Sequence, residues 1–102
     1  MTIEWNGYTC KTVFDKYENG RTAIRLVDDK DGSPIATATI NLPGEWVAEN
    51  QVLIKDYSEN SGMAKALLDA GVVANEVGRL AIGPFGAEVA VMEIAESMED
   101  GE

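Results

Sequence analysis

Eighteen of the 102 residues are aspartate or glutamate, eight are lysine or arginine, and histidine is absent. Any chemistry would therefore have to be built from carboxylates, and in so acidic a chain a pair of them is not special. Lacking histidine, the chain lacks the commonest general base, the commonest zinc ligand and the usual switch near neutral pH. Ser33, Ser58 and Ser61 have no suitable base in pattern to activate a hydroxyl. Cys10, the sole cysteine, falls on the apolar side of an alternating segment, where a thiol behaves as a small hydrophobe. Asp28, Asp29 and Asp31 look faintly like a calcium loop, but the loop is short and its flanks read as strands rather than helices. A hairpin turn is expected there. Gly83-Pro84-Phe85-Gly86 lacks the lysine and the following helix of a phosphate cradle and reads as a compact turn. No catalytic residue, metal or cofactor is expected, and the chain reads as a binding module.

Charge is the strongest signal that remains. The net charge is −10 at pH 7. Nucleic acid and anionic membranes are disfavoured as direct ligands, because both are held through Lys and Arg. A protein with a basic surface is the expected partner, since complementary potentials steer association. After Arg79 no basic residue follows, but Glu88, Glu93, Glu96, Glu99, Asp100 and Glu102 do. Together with Asp56, Glu59 and Asp69 these acids either form one negative face or serve only to keep a small protein soluble. Trp5, Trp46 and Phe85 fall in or beside expected loops or termini, as interface anchors or as plugs at the core rim. Trp46 stands out, because Pro43-Gly44 presents its loop outward. The residues expected to bind the partner are Trp46, Asp56, Tyr57, Glu59, Glu88, Glu93 and Glu96.

The elements that must position these residues are mostly short strands. Tyr8 to Tyr17 alternates, with Tyr8, Cys10, Thr12 and Phe14 on one side. Asn19-Gly20 signals a two-residue type I′ hairpin, and Arg21 to Asp28 reads as the returning strand with Ile24 and Leu26 inward. Pro34 to Leu42 and Gln51 to Tyr57 read as further strands around the Glu45 to Asn50 loop. The period then changes. Met63, Ala64, Leu67 and Leu68 form a helical stripe ending at Ala70, with Ser58 as the expected N-cap and Gly71 as the left-handed terminator. Glu76 to Ile82 and Ala87 to Ala95 complete the set, with the character of the last residues left open between strand and helix. The expected fold is α+β, β-β-β-β-α-β-β along the chain: a small, mainly antiparallel sheet with one helix packed on one face. Residues 1–95 are expected to form one domain, followed by an acidic, frayed tail at 96–102. No segment resembles a signal peptide or reaches the roughly 20 apolar residues of a membrane span, so a cytoplasmic location is expected.

Two stretches, Gly20-Arg21-Thr22-Ala23-Ile24 through Leu42-Pro43 and, above all, Ile54-Lys55-Asp56-Tyr57-Ser58-Glu59-Asn60-Ser61-Gly62-Met63, resemble a family of small uncharacterised proteins carried by bacteriophages and other bacterial mobile elements. The resemblance implies a bacterial cytoplasm during phage or element spread. It further implies an anti-defence role, such as that of an anti-CRISPR protein, in which acids meet a nucleic-acid-binding surface as a nucleic-acid mimic. The alternative is an accessory or regulatory partner of the element's own proteins, acting as a dimer. The resemblance supplies no catalytic residues.

Overall fold

The computed structural model describes residues 2–96. Its first half is built from successive hairpins. Strands β1 (Thr2–Trp5) and β2 (Tyr8–Lys16) meet across Asn6 and Gly7, both at positive φ (49° and 83°). This is the two-residue geometry whose twist matches that of the flanking strands. The Asn-Gly pair that makes it is Asn6-Gly7, not the expected Asn19-Gly20. At Asn19-Gly20 only the glycine has positive φ, the Gly20 amide donates to the Tyr17 carbonyl, and the Tyr17 amide donates to the Arg21 carbonyl. A three-residue loop ending in left-handed glycine results, and it connects β2 to β3 (Thr22–Asp28). The Asp28 to Ser33 turn leads to β4 (Pro34–Thr37) and completes a sheet of order β1-β2-β3-β4.

A second sheet, of order β5-β7-β6, is made from β5 (Gln51–Lys55), β6 (Val73–Ile82) and β7 (Ala87–Ile94). Every strand pairing in the two sheets is antiparallel. The segment expected to continue as strand to Leu42 leaves the first sheet after Thr37 and crosses to the second. The Ala38 amide still donates to Ile24 of β3, while the Ala38 carbonyl accepts from Lys55 of β5 and the Ile40 amide donates to Leu53. Two side chains satisfy backbone groups freed by the crossing. Thr39 Oγ1 accepts from the Ile24 amide and bonds the Tyr17 hydroxyl, and Asn60 Nδ2 donates to the Thr37 carbonyl at 2.8 Å. Thr39 and Asn60 are the buried polar residues of the interior, as expected of polar groups with partners.

Helix α1 (Met63–Asp69) packs against β1, β5 and β6. Met63, Ala64 and Leu67 are buried, but Leu68, expected on the same stripe, is exposed because seven residues present only one narrow face. The helix ends as the sequence suggests. Gly71 has φ 78°, its amide donates to Leu68, and the next amide, of Val72, donates to Leu67. This double closure carries the buried Val72 back onto the helix. The start differs. Ser58 does not cap α1 but sits at φ 53° in a separate 3₁₀ turn, Ser58–Asn60. The acceptor at the helix entrance is Asp56, whose Oδ1 takes the amides of Gly62 and Ala64 at 3.1 and 3.0 Å.

The core gathers Ile3, Trp5 and Cys10 with Ile24, Leu26, Val52, Ile54, Met63, Leu67 and Met92. Trp5 is thus a core residue at the end of a strand that alternation alone did not reveal. The α+β class, the antiparallel pairing and the α-helix packed against the sheets match the expectation, with β1 as an added strand and, among the described residues, the sheet divided in two. Of the tail expected at 96–102, residues 97–102 lie outside the described residues. No helix among the described residues is long and apolar enough to cross a membrane.

Candidate functional site

Alternation along β5 and β7 places the expected binding residues. On β5, Val52 and Ile54 face the core, and Gln51, Leu53 and Lys55 face the other way. On β7, Ala90 and Met92 share the core face with Glu88, while Val89, Val91 and Glu93 lie opposite. The seven candidates therefore do not share one face. They divide into three groups, with Glu96 exposed just beyond β7.

The first group surrounds Arg79 of β6. Its guanidinium bonds Asp56 at 3.0 Å and both carboxylate oxygens of Glu76, and approaches Glu88 at 3.8 Å. These contacts hold the arginine above its usual range, the Glu76 hydrogen bond first, and the same bond holds the Glu76 carboxyl below its own. Asp56 has a side chain only 10% exposed, with one oxygen on the α1 amides and the other on Arg79. Asp56 is therefore a structural link between helix and sheet rather than the surface acid expected of it.

The second group is Lys55, Tyr57 and Glu59. The Lys55 ammonium lies 5.6 Å from the Tyr57 ring centroid and 2.9 Å from Glu59 Oε2. That contact lowers the Glu59 carboxyl and raises the Lys55 ammonium, in both through the hydrogen bond between them first. Tyr57 and Glu59 thus already have a cation of their own chain.

The third group is the Trp46 end. Trp46 is 82% exposed, yet its loop is fixed on both sides. Arg21 Nη1 donates to the Leu42 carbonyl at 2.7 Å and Nη2 donates to the Glu45 carbonyl. Asn19 bonds the Asn41 side chain, and Gln51 closes a turn back onto Ala48 through both its amide and its side chain. The loop thus joins the tip of the β2–β3 hairpin to the end of β5 where Gln51 faces Glu93. Glu93 is half-buried and accepts a hydrogen bond from Asn75. Glu18, Glu45, Glu49 and Glu93 have no cation within ion-pair distance among the described residues. Glu45 and Glu49 escaped the sequence reading because acids are so common in this chain. Their one distinguishing signal is position, on either side of an exposed tryptophan.

The other sequence candidates lie apart from these groups. Phe85 is 96% exposed, but at the tip of the β6–β7 hairpin. Eight residues of extended chain, roughly 26 Å at about 3.3 Å per residue, separate it from Glu93, so Phe85 and the Trp46 end do not form one patch. Asp28 and Asp31 spend carboxylate oxygens on the amides of Lys30 and Ser33 within their own turn. Cys10 is fully buried, and burial first, then Asp28, Glu4 and Asp29, push its thiol up and away from the reactive thiolate. No group of three or more His, Cys, Asp or Glu among the described residues is placed to hold a metal ion. An open cleft of about 420 Å³ between β1 and α1, lined by Ile3, Lys65 and Ala66 among others, contains none of the candidates. Comparison with family models, with curated proteins and with solved structures gave no match.

Proposed function

We propose that the protein is a non-catalytic binding module that docks its Trp46 end on a basic surface of a partner protein. One observation carries this reading: a tryptophan 82% exposed on a loop that Arg21 and Gln51 hold in place. Large aromatic side chains are the usual energetic anchors of interfaces, and a loop already held in place loses less backbone freedom on binding. Glu18, Glu45, Glu49 and Glu93 supply the negative potential around it, and the net charge of −10 adds long-range steering. The phage-like segment Ile54 to Met63 gives the biological setting: an anti-defence inhibitor, anti-CRISPR-like, that covers the nucleic-acid-binding surface of a bacterial defence complex.

The test is a tagged pull-down from lysate of bacteria that carry CRISPR and restriction systems, with wild type and Trp46→Ala side by side at low and physiological salt. The expected result is salt-sensitive capture of one nucleic-acid-binding complex by wild type and its loss with Trp46→Ala. Equal capture by both forms refutes docking through Trp46. A second reading, an accessory partner acting as a dimer, draws support from β6, a ten-residue edge strand with Val77 54% exposed. The register shifts at Val73/Asn75 and Glu76/Gly78 oppose it, since bulges blunt an edge against pairing.

A further inference from the structure

Among the described residues, one aromatic ring has a cation and a carboxylate already in place, and a second ring has carboxylates beside it in its loop and no cation. At Tyr57 the chain supplies all three parts itself, with Lys55 over the ring and bonded to Glu59. At Trp46 the ring is larger and more exposed, and indole is the strongest cation-binding aromatic among the side chains. Glu45 precedes it directly and Glu49 follows within the same anchored loop, both exposed. The nearest arginine in the hydrogen-bond network, Arg21, directs its guanidinium to the Leu42 and Glu45 carbonyls and forms no ion pair among the described residues. Neither glutamate has a cation within ion-pair distance among the described residues, so their charge is available to a partner.

We propose that the Trp46 loop receives an arginine side chain of the partner protein, its guanidinium stacked on the indole and flanked by Glu45 and Glu49. This deepens the docking reading above and rests on it. Arginine suits the position better than lysine. A planar guanidinium covers an aromatic face while its N–H edge stays free for carboxylates, and it gives up hydration more readily than an ammonium. Because the loop is anchored through its carbonyls, the backbone that carries the ring and the acids is held in place before the arginine arrives.

The experiment uses the full chain and a fluorescently labelled octa-arginine peptide, with binding read by anisotropy. An octa-citrulline peptide of the same length is the control, since citrulline keeps the planar group without its charge. Wild type is expected to bind octa-arginine and not octa-citrulline. Trp46→Leu is expected to weaken octa-arginine binding about tenfold, as is the double variant Glu45→Gln/Glu49→Gln. All the substituted side chains are exposed, so thermal melts matching wild type are expected and confirm that the variants fold. Octa-arginine binding unchanged by Trp46→Leu overturns the proposal, because attraction to the overall charge then accounts for all of it. Equal binding of octa-citrulline overturns it as well. The two readings fail separately: capture from lysate that depends on Trp46, with no octa-arginine binding, leaves docking intact and removes the arginine.

Discussion

Replacing Asp56 by alanine tests the placement of that residue in the framework rather than on a binding surface. Its side chain accepts the Gly62 and Ala64 amides at 3.1 and 3.0 Å and Arg79 at 3.0 Å, and is only 10% exposed. Loss of a helix cap costs about 0.5–2 kcal/mol. A hydrogen bond to a charged group contributes about 1.5–3 kcal/mol, here reduced because Arg79 is one-third exposed and keeps Glu76. Asp56→Ala is therefore expected to cost about 2–4 kcal/mol. For a domain of this size that lowers the melting temperature by roughly 10–25 °C. Glu59→Ala is the matched control, since it removes the same charge from an exposed ion pair that solvent screens, and it is expected to leave stability almost unchanged. Asp56→Asn keeps an oxygen for the two amides and is expected to fall between them. Urea unfolding followed by circular dichroism measures all three. If Asp56→Ala loses no more than Glu59→Ala, the helix does not depend on this carboxylate and the assignment is wrong.

Asn60→Ala removes the hydrogen bond from a buried side chain to the Thr37 carbonyl and is expected to cost about 0.5–1.5 kcal/mol in the same assay. Asn60→Leu is expected to do no better, since added apolar volume does not satisfy a carbonyl. The Glu76 carboxyl is held below its ordinary range, first by its hydrogen bond to Arg79. Its contribution to stability is thus present above the unfolded-state pKa, near 4.3, and is lost as pH falls through the lower folded-state value. Wild type is expected to be more stable than Glu76→Gln at pH 7, and the difference should shrink as the pH falls below the unfolded-state value. A difference that grows on acidification contradicts the Arg79 pairing.

The sequence carried the local features well. The chain reversals after Tyr17 and Asp28, the alternation through Ile24 and Leu26 and the Gly71 helix stop are all encoded by neighbouring residues, so a pattern a few residues long reveals them, although not the turn type at Asn19-Gly20. Strand β1 was missed because four residues are too few to establish a period, and without that strand Asn6-Gly7 has no partner segment to mark it as a hairpin. Ser58 has the right residue type for a cap, but the true acceptor, Asp56, reaches Gly62 and Ala64 from six and eight residues away. The sheet change at Ala38 to Ile40 depends on Ile24, Leu53 and Lys55, which no local window contains together. The candidate site divided for the same reason. Asp56 and Glu88 look like solvated acids until folding brings Arg79 between them.

The crossing at Ala38 to Ile40 also bears on the order in which the molecule assembles. Each sheet draws on one continuous stretch of chain, β1 to β4 before the crossing and β5 to β7 after it, so each can zip up from short-range contacts. The core, however, takes Ile3, Trp5 and Leu26 from one half and Ile54, Leu67 and Met92 from the other. Only together do the two halves complete this core, although α1 packs on strands of its own half. A cut within the exposed stretch at 44–46 would sever no strand, and the two pieces would keep complementary faces and a ready-made seam at which to rejoin. The polypeptide is thus organised for fragment complementation, with the tryptophan loop as the point where it divides.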